Sequence, residues 1–258
     1  MGERTEYAPG TFSWADLTTT DQEAAKAFYS GLFGWEAEDI PVGDGINYTM
    51  LRRAGKTVGA ISPQQEQQRE MGLPPVWNSY VTVDSADAAA RRAGELGAGV
   101  EAPPFDVMDV GRMAVVRDPQ GAFFMLWEPR TSIGAEVVNE PGAMCWNELV
   151  SPDLDGASAF YRDLFGWEVA PLPDSPVPYL WLKNGEAAAG GMRAPQPGEP
   201  AYWLVYFATD DLDASLARAQ ELGGSSPTGA HDMGDIRIAL VQDPQGGTFA
   251  LYQGHLEP

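Results

Sequence analysis

The chain has 258 residues, a formal net charge of −21 at pH 7 and a single cysteine, Cys145. This length suits two domains of about 125 residues, each large enough to bury a core of its own. The acidic balance, with 16 scattered Lys and Arg against 37 Asp and Glu, argues against nucleic acid and anionic membranes as partners. No apolar run approaches the roughly 18 residues of a membrane span, and the N-terminal segment lacks the apolar centre of a signal sequence, so we expect a cytoplasmic protein.

The first predicted elements are a strand, FSWADLT, and a helix that begins near Asp21. After Asp21 the apolar positions recur at i, i+3, i+4, i+7 and i+8, which is one face of a helix. Thr20 or Asp21 can cap its first turn, and Gly34 can take the left-handed conformation that ends a helix. The apolar positions are Ala25, Phe28, Tyr29, Leu32 and Phe33.

Further strands and a second helix complete the first half of the chain. The segments NYTMLRR, NSYVTV, RMAVVRD and FFMLW are predicted strands, and residues 86–96 are a predicted helix that ends at a glycine. Between the last two strands stands Asp118-Pro-Gln-Gly, with proline and glycine where a tight turn favours them. The pattern predicts a hairpin in which Asp118 is a turn residue.

The second half of the chain repeats these elements. The 23 residues from Trp14 match the 23 from Trp146 at twelve positions without a gap. The helix at 86–96 recurs at 212–222, and Asp-Pro-Gln-Gly recurs at Asp243, where the aspartate is again predicted to be a turn residue. We therefore predict four βαβββ units in two domains, 11–128 and 143–254, joined by a linker at 129–142.

The repeated markers W-x-[DE]-L, AFY, LFGWE and DPQG-x-x-F-x-L resemble those of the vicinal oxygen chelate superfamily, and in particular its tandem actinobacterial glyoxalase-like members. That superfamily includes glyoxalase I, bleomycin-resistance proteins and extradiol dioxygenases. The resemblance implies an α+β fold in which two βαβββ units close a sheet around a ligand cavity. It also implies two domains related by a pseudo-two-fold axis, so this acidic chain would work as a monomer with an internal pseudo-dimer or as a homodimer.

The resemblance also implies a metal site, but its positions hold other residues here. In the family, a His or Gln of the first strand, a His or Glu of the fifth and a Glu of the eighth bind the metal. Apart from a weak amide donor at Asn78, none of the residues here suits a divalent metal, so we expect a metal-independent protein with no cofactor. The alternative is a divalent metal, with Asp16 and Glu148 as displaced ligands, in a lyase, isomerase or dioxygenase-type enzyme. The matching positions are Trp14, Asn78 and Met125 in the first half and Trp146, Leu204 and Ala250 in the second.

Each first strand carries a carboxylate two residues after its tryptophan, Asp16 in one half and Glu148 in the other. Because side chains two apart share a strand face, both carboxylates are predicted to face a cavity. There they could contact a ligand or act as a general base, with a pKa raised by aromatic neighbours. In the structural alternative they pair with an arginine, either Arg112 or Arg237, or help to join the halves.

Aromatic side chains at matching positions predict a ligand-binding surface. Singly they are more often core residues, but together on one face they can stack against a flat ligand. The predicted function is therefore binding of a small hydrophobic or aromatic molecule, for sequestration or for a metal-free tailoring reaction. A third hypothesis is a structural or interaction protein whose cavities are plugged by Trp14 and Trp146. The aromatic candidates are Tyr80, Trp127, Tyr206 and Tyr252, with Tyr48 and Trp181 on middle strands, and the other predicted ligand-binding residues are Trp14, Asn78, Met125, Trp146 and Leu204.

Three potentially reactive side chains are predicted to have no role in catalysis. Cys145 precedes Trp146 and is predicted to face the helix side of the strand as a buried, inert thiol. His231 and His255 are predicted to be solvated residues of a loop and of the C-terminal tail. No phosphate loop, serine elbow or dinucleotide fingerprint occurs in the sequence.

Overall fold

The computed structural model describes residues 2–43, 45–173 and 178–256, which form 16 strands and five helices of an α+β fold. No helix in these ranges is long and apolar enough to cross a membrane. The first half contains β1 (Phe12–Thr19), α1 (Gln22–Phe33), β2 (Glu36–Gly43), β3 (Ile46–Arg53), β4 (Lys56–Pro63), α2 (Glu66–Glu70), β5 (Val76–Thr82), α3 (Ala86–Glu95), β6 (Gly99–Val107), β7 (Gly111–Arg117) and β8 (Phe123–Pro129). The second half contains β9 (Met144–Val150), α4 (Leu154–Phe165), β10 (Glu168–Pro171), β11 (Tyr179–Asn184), β12 (Ala187–Arg193), β13 (Tyr202–Ala208), α5 (Leu212–Glu221), β14 (Ala230–Asp232), β15 (Arg237–Gln242) and β16 (Thr248–Gln253).

The predicted four βαβββ units are confirmed, and they pair through their first strands. Antiparallel pairing of β1 with β5 gives the strand order β2-β3-β4-β1-β5-β8-β7-β6 in the first half. Pairing of β9 with β13 gives the matching order β10-β11-β12-β9-β13-β16-β15-β14 in the second. A short parallel contact between β5 and β16 joins the two halves into one sheet.

The helix boundaries follow the local signals in the sequence. Asp21 is the N-cap of α1 and its carboxylate accepts a hydrogen bond from the Ala24 amide at 3.0 Å. Gly34 ends the helix with φ of 70°, in the left-handed region that glycine adopts without steric cost. Asp153 and Gly166 take the same two roles in α4. The caps predicted at Asp21 and Gly34 are confirmed.

Tyrosines of the longer helices connect the two halves. Tyr29 of α1 donates a hydrogen bond to Asp243 at 3.0 Å, and its hydroxyl accepts one from the Trp77 indole at 2.9 Å. Asp243 also accepts the Gln245 and Gly247 amides, so it is the predicted turn residue and an anchor for the other half as well. The repeat gives a second copy of this arrangement, formed by Tyr161, Asp118 and Trp203.

These contacts define the two faces of the sheet. The helices cover an outer face, where Tyr29 packs edge-on against Trp77 at 5.2 Å between ring centroids. Along β1 and β9 successive side chains point to opposite faces of the sheet, so every second one points away from the helices. We call this second face the inner face. The predicted site residues Asp16 and Glu148 lie there, away from the helices.

The segment predicted as a linker is packed against the protein. The Ala135 amide donates to the Ser13 carbonyl at 2.7 Å, and the Gly142 amide donates to the Ala208 carbonyl at 2.8 Å. The N-terminal segment runs beside it, with the Arg4 amide bonded to the Glu136 carbonyl. The linker therefore has a fixed path through most of its length, and this path brings residues near the N-terminus towards the second half.

Candidate ligand-binding site

A cavity of about 750 Å³ lies on the inner face of the second half. Residues of the N-terminal segment from Arg4 and of the C-terminal tail, including His255, complete its walls. This volume falls in the range of about 300–1,000 Å³ that small-molecule sites occupy. The side chains that bear on its chemistry are Trp146, Glu148, Tyr179, Trp181, Tyr206 and Tyr252.

An aromatic wall of this cavity is built from β9 and β11. The Trp146 indole donates to the Tyr179 hydroxyl at 3.0 Å, and its ring lies at 84° to Trp181 with 6.1 Å between ring centroids. A Cβ at Gly191 of β12 would lie 2.0 Å from the Tyr179 hydroxyl oxygen, so any other residue at this position would displace the tyrosine. Sequence reasoning missed Tyr179, although it is the counterpart of Tyr48 on the middle strand of the other half.

Glu148 is held in the cavity wall by an ion pair. Its carboxylate accepts the Arg193 Nε at 2.7 Å, and both terminal nitrogens of the same guanidinium bind Glu199 at 2.7 and 2.8 Å. The three side chains are only 6%, 17% and 15% exposed, respectively. Although burial opposes the shift, the hydrogen bonds from Arg193 hold the pKa of Glu199 at about 2.

The arginines predicted as partners of these carboxylates pair elsewhere. Arg112 binds Asp87 and Asp106, and Arg237 binds Asp213, all on the outer side of the sheet. The prediction was wrong because side chains alternate along a strand. The neighbours of these arginines in sequence face inward, so the arginines themselves point towards the helices.

Two tyrosines share the surroundings of Glu148. Burial first, and then the negative charge of Glu148, raise the pKa of Tyr179 and of Tyr206 well above the ordinary value. Both hydroxyls therefore stay protonated at neutral pH and hydrogen-bond the Glu148 carboxylate.

The first half buries Asp16 among neutral donors. Its carboxylate, in a residue only 4% exposed, accepts Tyr80 at 2.8 Å, Asn78 at 2.8 Å and Tyr48 at 3.0 Å. The Trp14 indole donates to Tyr48, repeating the arrangement of Trp146. Burial raises the pKa of Asp16, although these three hydrogen bonds lower it. Among the described residues no cation pairs with Asp16, in contrast to Glu148.

The inner face of the first half carries large buried side chains. Trp14, Tyr80, Met125 and Trp127 are all buried there in one hydrophobic cluster. Trp127 lies directly over Gly111, where an added Cβ would come within 2.3 Å of the indole. In the second half the smaller Ala250 replaces the methionine, Tyr252 replaces the tryptophan and Ile236 replaces the glycine. The equivalent faces therefore differ in free volume.

The family of the chain follows from comparison with known proteins. Residues 11–126 match the model of the Glyoxalase/Bleomycin resistance protein/Dioxygenase superfamily, and residues 132–252 match that of a Glyoxalase-like domain. The chain belongs to this superfamily. The resemblance drawn from the repeated markers is confirmed.

Relatives and solved structures of the superfamily align over nearly the whole chain. CFP32 of Mycobacterium tuberculosis, which is provisionally named a glyoxylase, is 43% identical over 259 residues, covering 97% of both chains. The anthracycline biosynthesis protein DauV of Streptomyces sp. is 34% identical over 261 residues, covering 96% of this chain and 95% of that one. The Mn(II)-bound glyoxalase of Novosphingobium aromaticivorans aligns with a TM-score of 0.66 at 18% identity, covering 96% of this chain and 83% of that one, which shows a shared fold.

The superfamily's metal can be tested against the side chains present. The strand register places Asn78 opposite Asp16 and Leu204 opposite Glu148. In the part of the chain that the structure describes, no three His, Cys, Asp or Glu side chains are grouped closely enough to hold a metal ion. Indole, thioether and alkyl groups are poor ligands for a divalent metal, so the donor set does not fit one. The positions on the remaining strands are Trp14, Met125, Trp146 and Ala250.

Cys145 lies on the cavity side of β9, contrary to the prediction. The register between β9 and β13 shifts where Tyr206 opposes Trp146 and Phe207 opposes Met144, so the strand bulges at Cys145. The bulge breaks the alternation and brings the thiol into the cavity wall. Burial raises the pKa of the thiol, which therefore stays protonated at neutral pH.

We expect Asp16→Asn to change the pH dependence of stability. Because the folded pKa of Asp16 is raised above its ordinary value of 3.8, the folded protein binds this proton more tightly than the unfolded chain does. Its contribution to stability therefore falls as the pH rises above that value, and the asparagine variant lacks this loss. Urea unfolding of both proteins at about pH 4 and pH 7 gives the free energy of unfolding of the variant relative to that of the native protein. This relative stability should be higher at pH 7 than at pH 4. A difference that is equal at the two pH values would contradict the assignment.

Proposed function

We propose that this protein binds a small, flat, hydrophobic or aromatic molecule in the cavity of the second half, without a metal. The observation that carries the proposal is the cavity of about 750 Å³ itself, lined by Trp146, Trp181 and Tyr206. Ligand sites typically combine such apolar walls with a few polar groups that fix orientation. Here Glu148 and the tyrosine hydroxyls supply those groups.

The geometry favours binding over acid-base catalysis. Glu148 is engaged by Arg193 at 2.7 Å, so accepting a proton would disrupt a buried ion pair. Asp16 lies within the packed inner face of the first half, where three donors from the protein already contact it. Neither carboxylate is free to exchange a proton with a substrate. Sequestration of a metabolite therefore suits these residues better than its chemical conversion.

The names of relatives agree with a flat aromatic ligand. DauV and the Streptomyces peucetius protein DnrV, each 34% identical to this chain, are named anthracycline biosynthesis proteins. Anthracyclines contain a planar system of fused rings, which can stack against indole and phenol rings. The cavity is large enough for three or four fused rings together with bound water.

Titration with a planar probe tests the proposal. We expect 2-(hydroxymethyl)anthracene to bind with one equivalent per chain in calorimetry and to raise the melting temperature. Trp146→Ala removes a ring from the cavity wall and should weaken binding about tenfold or more, since buried aromatic contacts dominate such sites. Phe105→Ala, at a side chain exposed on the first half, is the control and should bind like the native protein. Absence of heat and of a thermal shift in the native protein would refute the proposal.

Elemental analysis tests the metal-independent part separately. Protein purified without chelators or a histidine tag should contain no stoichiometric zinc, nickel, manganese or iron, before or after their re-addition. One tightly held ion per chain would show that the donor assignment is wrong. The metal-dependent enzyme of the superfamily would then become the leading hypothesis.

A further inference from the structure

A tryptophan in the cavity wall carries a buried hydrogen-bond donor that the described part of the protein does not use. The Nε1 of Trp181 is buried and has no hydrogen-bond partner among the described residues. An indole N–H can only donate, and leaving a buried donor unpaired costs free energy. Such a group in a cavity wall calls for an acceptor that the protein itself does not provide.

The other tryptophans show how unusual this is for the molecule. The chain has eight tryptophans, and the other seven each donate to a carbonyl or to a tyrosine hydroxyl. Trp146 is the closest comparison, because it lines the same cavity and its Nε1 donates to Tyr179. Of these two indoles, only that of Trp181 has an N–H group without an acceptor in the described protein.

The charges around the cavity favour a neutral acceptor. Glu148 and Glu199 share the single cation of Arg193, so this group of three carries a net negative charge. Glu6 and Asp235 also line the cavity, opposed by Arg4. A ligand carboxylate or phosphate would meet repulsion here, whereas a carbonyl oxygen accepts a hydrogen bond without bringing charge.

We propose that the ligand is a planar aromatic ketone or quinone whose carbonyl oxygen accepts a hydrogen bond from Trp181 Nε1. The inference rests on the proposed function and narrows its ligand class. Because neighbouring atoms cover the nitrogen, the pairing includes a rotation of the indole ring towards the bound ligand. Trp181 is then a specificity residue, which separates carbonyl-bearing ring systems from hydrocarbons of the same shape.

The test compares two probes of matched shape on two matched variants. The quinone probe is 2-(hydroxymethyl)anthraquinone, and the hydrocarbon probe is 2-(hydroxymethyl)anthracene. Trp181→Phe should weaken binding of the quinone probe about tenfold more than that of the hydrocarbon probe, the size of one lost hydrogen bond. Trp146→Phe removes the same atoms from the same cavity but no free donor, so it should weaken both probes by similar factors. Trp181→Phe loses no hydrogen bond within the described protein, and its melting temperature should stay close to the native value.

The outcomes separate the inference from the proposed function. If both probes bind the native protein and Trp181→Phe leaves the ratio of their dissociation constants unchanged, the role of Trp181 is overturned while ligand binding stands. If only the ratio for Trp146→Phe changes, the donor has been assigned to the wrong indole and the inference again fails. If neither probe binds the native protein, the proposed function fails and the inference fails with it.

Discussion

Replacement of Arg193 by methionine is expected to lower the free energy of unfolding by about 3–5 kcal/mol. The substitution leaves Glu148 and Glu199, 6% and 15% exposed, without the cation that both share. Removing one partner of a buried ion pair is costly because the remaining charge is separated from water and has no compensating partner. Urea unfolding at about pH 7, monitored by circular dichroism, measures this loss of unfolding free energy.

A matched control comes from the half-buried surface arginine that sequence reasoning had proposed for this role. Arg237 pairs with Asp213, which is 69% exposed, and Arg237→Met should cost far less than Arg193→Met because water screens the pair. Adding Glu148→Gln to Arg193→Met should restore part of the loss, since one uncompensated charge is removed. Equal losses for the two arginine variants would show that water screens the ion pairs of Arg193 as well as it screens that of Arg237.

The fold was predictable because its signals are local and occur twice. Helix caps such as Asp21 and Gly34 follow from the chemistry of single residues. Because the sequence repeats, the strands predicted for one half could be assigned to the other half as well. The inner-face positions of Asp16 and Glu148 followed from strand alternation alone. Their partners did not, because partners come from strands distant in sequence.

Arg193 shows why the repeat could not identify the contacts of the site. Its counterpart in the first half is Ser62, since Arg193 opposes Val150 and Ser62 opposes Thr18 in equivalent strand pairs. Comparison of the two halves therefore gave no signal for an arginine here. The bulge at Cys145 was hidden for a related reason, because a one-residue change of register leaves no mark in the composition of a strand.

The difference in volume between the halves was visible in the sequence as Met125 against Ala250. The sequence did not show which inner face has room for a ligand, because the packing of the first half also depends on the position of Trp127 over Gly111. The equivalent residues Trp127 and Tyr252 are both aromatic, which suggested two similar binding surfaces. The structure shows buried rings and a buried methionine on the first inner face and a cavity on the second, and for this reason we place the proposed site in the second half.

Ala250→Met is therefore expected to weaken binding of the anthracene probe about tenfold or more. Ala250 forms one cluster with Leu204 and Tyr206, and Trp146 and Tyr252 pack against it. A methionine at this position has to push those rings into the cavity, and overpacking of this kind costs about 1–3 kcal/mol. Calorimetry measures the affinity, and thermal unfolding checks that the variant folds.

Met125→Ala at the equivalent position of the first half is the control. It should lower the free energy of unfolding by about 2–5 kcal/mol through the space that it leaves in a packed cluster. Binding in the second half should keep its native affinity, because the substituted side chain belongs to the other inner face. If Met125→Ala weakens the probe as much as Ala250→Met does, the ligand contacts the first half, and the assignment of binding to the second half alone is wrong. If instead the variant takes up a second equivalent of probe, the methionine is what closes the first inner face, and the two halves differ in function because of their packing.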